Sequence, residues 1–302
     1  MVVTGALNIL PQAPIPTWFK IGGGADRKAV LKSVDDLRYA LDMDRNLKVL
    51  GDGANLLVDD DGVSELVVEL KGAFERISID HETGRVNLGA GVKLPRAINA
   101  TVAEGWGGLE VLAGFPATMG GCVVMNAGGK YGEISDLVVS VQALNRHGEI
   151  LSIPRRDIPF SYRHSGLNEL LITGVEIQLV RGNAVTLKSR QVEIMKYKKD
   201  SQPLSANSAG CCFKNPTLDR DVLEFVKGQR VGAGLLIDRA GLKGLTVRGA
   251  SVSTVHANFI VTSPTARARD VIELMELVTR GVQDELGVTL QPEVVIWKRS
   301  AC

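Results

Sequence analysis

Three short segments of the 302-residue chain carry side chains whose chemistry exceeds what packing requires. Phe160–Ser165, FSYRHS, sets Arg163 beside Phe160 and Tyr162. A single arginine is ordinarily a surface residue, but one set between aromatics at a strand edge suits bidentate capture of a carboxylate. Ser208–Pro216, SAGCCFKNP, brackets Cys211 and Cys212 between the turn residues Gly210 and Asn215-Pro216. Cysteine is ordinarily a small buried hydrophobe. A thiol of unperturbed pKa ~8.5 nevertheless holds its proton at neutral pH and is a far stronger acid than an alcohol. Leu290–Trp297, LQPEVVIW, places one carboxylate, Glu293, in an apolar strand. It is either an exposed strand-start residue or a buried carboxylate, and buried carboxylates are rare unless paired.

Between these segments and the N-terminus lies Gly107–Glu133, GGLEVLAGFPATMGGCVVMNAGGKYGE, dense in glycine, without arginine and with one lysine. Such a stretch is too apolar for a solvated loop and too rich in glycine for an amphipathic helix. It is a connector, or it is backbone laid against a flat, phosphate-bearing ligand. A second polar turn, Asp52–Asn55 in GDGANLLVDDDG, follows a short strand and offers amides to a diphosphate. Gly51-x-Gly53 is not a Rossmann fingerprint, because Leu56 occupies the third glycine position and β-patterned residues follow in place of a helix. Gly129-Lys130-Tyr131 lacks the upstream glycine and the hydroxyl of a P-loop. No spacing of His, Cys, Asp and Glu suits a metal.

AGFPATMGGCVVMNAGGKYGEISD resembles the flavin-binding signature of the UDP-N-acetylenolpyruvoylglucosamine reductase family, and further motifs between Thr17 and Trp297 resemble it too. These are TWFKIGGGAD, where the family usually has proline at Gly24, then GDGANLL, YRHS, SAGCCFKNP, AGLKGLTVRGASVSTVHANFIV and LQPEVVIW. The resemblance implies non-covalent FAD, held by Gly51, Asp52, Gly53, Ala54, Asn55 and Leu56 and by Gly114, Pro116, Ala117, Thr118, Gly120, Gly121, Val124, Asn126, Ala127 and Gly128. NADPH is implied as co-substrate, alternating with the sugar nucleotide in one site. Arg163 is implied to face the enolpyruvyl carboxylate beside Tyr162, and Glu293 to be the C-terminal catalytic glutamate. The family's proton-donating serine falls on Cys211, a departure, with Cys212 at the variable position. Lys214 and Asn215 are implied to contact the nucleotide sugar. Arg163 and Cys211 stand 48 positions apart, which resembles the compact branch without an extra tyrosine-bearing loop. Two rivals remain: another FAD-dependent sugar or alcohol oxidoreductase of the same superfamily, and a non-catalytic nucleotide-sugar binding protein.

The elements that must position these residues read as α+β. Ser33 caps a helix running to about Asp44; strands follow at Leu47–Leu50, Leu66–Leu70, Arg76–Asp80 and Arg85–Gly89; a helix spans Leu94–Glu104. Leu137–Leu144 and Glu149–Ile153 form a hairpin around Arg146-His147-Gly148, and Leu170–Val180 is a strand. The basic run with Lys188, Arg190, Lys196, Lys198 and Lys199 is a solvated helix. Ala233–Ala240 is a helix and Ala257–Thr262 a strand. A long helix starts at Ser263-Pro264 with Val271, Leu274, Val278 and Val282 on one stripe, and Val288–Trp297 is the last strand.

The implied fold is a two-subdomain FAD-binding module of the vanillyl-alcohol-oxidase-like (PCMH-type) superfamily with an α+β C-terminal substrate domain. Its parts are an N-terminal extension 1–16, flavin subdomains 17–75 and 76–183, and a substrate domain 184–287, with 288–302 returning to the first subdomain.

A formal net charge of +1 and 23% charged residues exclude a polyanion-binding bias, so no nucleic acid partner is expected. No apolar run is long enough to span a membrane, and the first residues lack a basic signal-peptide start. The four cysteines, Cys122, Cys211, Cys212 and Cys302, form no CxxC pair, pointing to free thiols in a reducing cytoplasm. A monomer acting on small molecules is expected. Of His81, His147 and His256, none is assigned a role. If Cys211 is an accessible thiol, peroxide inactivates the protein faster than a Cys211→Ser version; equal inactivation rates of the two refute this.

Overall fold

The chain, in a computed structural model that describes residues 7–300, groups into two units, each with its own core. One comprises the described residues up to Ala13, Ala25–Asp52 and Ser64–Tyr197; the other comprises Pro14–Gly24, Gly53–Val63 and the described residues from Lys198 onward. Residues 1–6 of the expected extension, and Cys302, lie outside the described residues.

In the first unit α1, Val34–Met43, opens on a capping box: Ser33 Oγ accepts the Asp36 amide and the Asp36 carboxylate accepts the Ser33 amide. It buries Leu37, Ala40 and Leu41. The lead-in, read as extended, supplies the strand Ile9–Ala13, antiparallel to Ala25–Leu31. The sheet continues with Val63–Leu70 and then Lys48–Leu50, the last two parallel.

A five-stranded antiparallel sheet follows in the order Ile150–Pro154, Val138–Leu144, Leu171–Gln178, Arg85–Gly89, Ile77–Ile79. α2, Leu94–Ala103, carries a proline in its first turn and ends before Gly105 at φ 74°. The glycine-dense stretch is not helix-free: α3, Met119–Val124, lies inside it, capped by Thr118. Tertiary contacts override propensity there, since the Met119 and Gly120 amides donate to the carbonyls of Val92 and Ala90. α4, Ala184–Ser201, is the expected basic helix.

The second unit has α5, Ala233–Arg239, and α6, Ala268–Leu286, with a three-stranded antiparallel sheet of Thr246–Val247, Ala250–Val252 and Ile260–Thr262. The expected stripe of α6 is buried throughout: Val271, Leu274, Val278 and Val282. Its expected start is wrong by one turn. Ser263 donates its amide to Gly249 and closes a turn with Ala266, where a Cβ on Gly249 would come within 2.5 Å of Ala266 Cα. The helix begins beyond this crossing because the Asp60 carboxylate accepts the Ala268 and Arg269 amides at 2.9 and 3.2 Å. Strand structure at the C-terminus is confined to Val295–Trp297, parallel to Leu56–Val58.

A carboxylate that takes two orphan amides at a helix start contributes about 1–2 kcal/mol. Asp60→Ala therefore lowers the unfolding free energy by about that amount in urea titration, whereas Asp60→Asn retains most of it.

Candidate active site

The first unit presents a strip of bare backbone. Gly51 and Gly121 are exposed, and both face Thr118: an added Cβ would lie 2.9 Å from its Oγ1 at Gly51 and 3.5 Å at Gly121. Asp52 follows, its charge compensated by Lys93 at 3.0 Å, and Lys93 is itself bridged to Thr118. Exposed glycine backbone, the Thr118 hydroxyl and the Lys93 ammonium suit the diphosphate of a flavin dinucleotide, with the Asp52 carboxylate compensated by that ammonium. Gly114, at φ 79°, turns the chain into Pro116 and Ala117, and the Ala117 carbonyl accepts the Leu94 amide at the start of α2. Gly128 has an internal reason to be glycine, since a Cβ there would collide with Glu133 across a tight hairpin. Ala127 belongs to the same hairpin, accepting the Ile134 amide.

Arg163 sits in this unit at the centre of a four-residue turn, closed by reciprocal backbone hydrogen bonds between Ser161 and His164 at 2.9 and 3.1 Å. Its backbone is left-handed, φ 55°, and its guanidinium stacks 5.0 Å from the centre of the Tyr162 ring. Val124, at the end of α3, accepts the Ser165 hydroxyl at 2.8 Å. Arg190, read as solvated, is exposed and in addition pairs at 3.2 Å with the buried Glu110, which also accepts the Gly108 amide. Nothing in the basic run itself announced that partner, 80 residues upstream.

The second unit holds Gly53, Ala54, Asn55 and Leu56 with Cys211, Lys214, Asn215 and Glu293. Gly53 is buried, and a Cβ there would strike the Pro16 carbonyl; Leu56 is a core strand residue paired with Val295. Asn55 donates from Nδ2 to the Glu293 carbonyl at 3.1 Å and accepts the Val295 amide at its own carbonyl. Expected as cofactor contacts, these residues also set the course of the chain at Glu293.

The segment Cys211–Phe213 is gripped on two sides. Asn258, buried, accepts the Phe213 amide at Oδ1 and donates from Nδ2 to the Phe213 carbonyl, both at 2.9 Å, while its carbonyl accepts the Cys212 amide. From the other side the Glu293 amide donates to the Cys212 carbonyl at 2.8 Å, and Lys214 donates to Gln291. Cys211 and Glu293, both half-buried, thus stand on adjacent backbone.

The vicinal cysteines differ. Burial pushes the Cys212 thiol up to about 12, and its sulfur faces inward. Of the two, only Cys211 is partly exposed. Asn215 caps α5 by accepting the Ala233 amide at 2.9 Å, a role the Asn-Pro turn reading did not anticipate. Asn258, in the HANF run, was also passed over, although a buried asparagine bracketed by apolar residues is a recognisable brace. Among the described residues no cluster suits a metal ion, and no helix is long and apolar enough to cross a membrane.

Residues 31–154 match the family profile "FAD binding domain", and residues 202–297 match "UDP-N-acetylenolpyruvoylglucosamine reductase, C-terminal domain". The chain is similar to the UDP-N-acetylenolpyruvoylglucosamine reductase of Moorella thermoacetica, 37% identical over 96% of this chain and 94% of that one. It is likewise similar to that of Myxococcus xanthus, 38% identical over 94% and 89%. Among solved structures, that of the Thermus caldophilus reductase superposes with a TM-score of 0.79 at 35% identity, over 97% of this chain and 99% of that one.

His256, assigned no role from sequence, is structural. It stacks edge-on against Phe259 at 4.9 Å, its Nδ1 accepts the Asn258 amide at 3.2 Å, and Gly234 leaves room for its ring. Burial holds it below the ordinary histidine value of 6.5, with Lys243 adding repulsion. A depressed folded-state value means the unfolded chain binds more protons, so this contribution is full above about pH 6.5 and fades as pH falls through the folded value. Stability measured by urea titration accordingly declines on acidification from pH 7, and His256→Gln flattens part of that slope.

Proposed function

The chain belongs to the UDP-N-acetylenolpyruvoylglucosamine reductase family, and from that premise we propose that it reduces the enolpyruvyl ether of UDP-N-acetylglucosamine to UDP-N-acetylmuramate, drawing electrons from NADPH. It is an FAD-dependent oxidoreductase of peptidoglycan precursor synthesis. The observation that carries the mechanistic reading is the double grip on Cys211–Phe213, which sets a half-buried thiol beside the Glu293 backbone. The same reading takes the protein as a cytoplasmic monomer acting on small molecules, in keeping with its balanced charge.

FAD, held non-covalently along the Gly51, Thr118 and Gly121 strip, supplies hydride chemistry when bound. The chain's own residues do the rest. Arg163 binds the substrate carboxylate bidentately, and its fixed positive charge stabilises the enolate that develops as the carbon farthest from that carboxylate is reduced. Tyr162 lies under the guanidinium and helps confine it. Glu293, in its protonated form, donates a hydrogen bond to the enolate oxygen. Cys211 gives its Sγ proton to the carbon bearing the carboxylate; a C–H bond forms, the S–H bond breaks, and the thiolate recovers a proton from solvent. Lys214 supplies a cation for the diphosphate, and Asn215 a neutral polar contact for the sugar. Residues 17–75 and 76–183 serve the flavin in this reading, and 184–287 the substrate.

An absorption spectrum of the pure protein tests the whole reading. Flavin bands bleach with NADPH and return when the enolpyruvyl nucleotide is added; rapid return in oxygen alone, without the nucleotide, identifies an oxidase instead. Cys211→Ala keeps NADPH-driven bleaching and loses about 10²–10⁴-fold in product formation, while Cys212→Ala still turns over. Normal turnover by Cys211→Ala removes the thiol from the mechanism.

A further inference from the structure

Asn126 was expected among the flavin contacts, yet both ends of its side chain are used inside the protein. It is fully buried, with left-handed backbone at φ 43°. Its Nδ2 donates to the Ser161 carbonyl at 2.9 Å, and its Oδ1 accepts the Ser135 amide at 3.3 Å. Only one orientation of the amide satisfies a carbonyl and an N–H in this way. Ser161 is the first residue of the turn that carries Tyr162 and Arg163.

A second tie lies nearby. The Ser165 hydroxyl donates to Val124 and accepts the Leu167 amide at 3.2 Å. The turn is therefore suspended at both of its ends from residues at the close of α3, within the glycine-dense stretch. Arg163 itself occupies left-handed backbone, which a residue with a Cβ holds only when its surroundings fix it.

We infer that Asn126 is a positioning residue for Arg163: its amide fixes the Ser161 carbonyl and thereby the angle at which the guanidinium meets the substrate carboxylate. The inference rests on the reading of Arg163 as the carboxylate partner. It assigns Asn126 to substrate handling and not to flavin retention. Asn126→Asp preserves size, left-handed tolerance and the acceptor toward Ser135, and replaces the donor with a carboxylate oxygen, which sets a buried negative charge against the Ser161 carbonyl. Asn126→Gly also tolerates the backbone and serves should the aspartate variant fail to fold.

The test is a double-mutant cycle on holoenzyme, read in separate half-reactions. Enzyme reduced anaerobically with NADPH is mixed with the enolpyruvyl nucleotide, and flavin reoxidation is followed against substrate concentration. Asn126→Asp raises the half-saturating concentration or lowers the rate about tenfold or more. Flavin content and NADPH-driven bleaching stay within about twofold of the parent protein. In an Arg163→Ala background the same substitution costs nothing further. Equal losses in both backgrounds, unchanged reoxidation, or loss of flavin from Asn126→Asp each overturn the inference. Parent-like reoxidation by Arg163→Ala alone sinks the Arg163 assignment itself, and the positioning role with it.

Discussion

Side-chain amides doing the work of peptide groups are the interaction on which the segments carrying Arg163 and Cys211 both depend. Asn126 in one unit and Asn258 and Asn55 in the other each bond to main-chain atoms that an ordinary strand ladder would otherwise serve. A buried backbone group without a partner costs about as much as a lost hydrogen bond, so irregular segments such as Ser161–His164 and Cys211–Phe213 need such braces to persist. Strands would satisfy the same groups but would point successive side chains to opposite faces. An asparagine-braced turn can instead present Tyr162 and Arg163, or an isolated thiol, from a segment with no regular partner.

Much of this was legible because the relevant signals are local. Ser33 with Asp36, the Gly105 stop and the Arg146–Gly148 turn are short-range devices, and α1, α2 and the Val138–Leu144 hairpin follow them. The α6 stripe was legible as periodicity, but its start was not. Ser263-Pro264 has the composition of a cap, and the carboxylate that actually caps, Asp60, comes from a segment about two hundred residues earlier. The Glu110–Arg190 pair and the helix inside the glycine-dense stretch escaped for the same reason, since each is decided by a partner distant in sequence. At the site, residue types suggest chemistry from the sequence alone, while the internal duties of Gly53, Leu56, Asn126 and Asn215 were invisible without coordinates.

The vicinal cysteines show how backbone direction separates two identical side chains. Cys212 and Phe213 are both turned into the core, and Cys211 is left at a half-buried position. The buried thiol, raised to about 12, is a packing group. The sulfur proposed as proton donor is thus set apart from its neighbour by geometry, although both share the same sequence context.

The interleaving of the two units has a consequence for how the chain is made. Pro14–Gly24 and Gly53–Val63 leave the ribosome early, but the core they join, with Phe19 and Leu57 fully buried, is completed by α6 and the strand ending at Trp297. The nascent chain must hold these apolar segments unsatisfied until synthesis is nearly finished, a window in which exposed hydrophobic surface invites aggregation. Fragments cut at the sequence boundaries near residue 200 would inherit the same defect permanently, each lacking strands that the other carries.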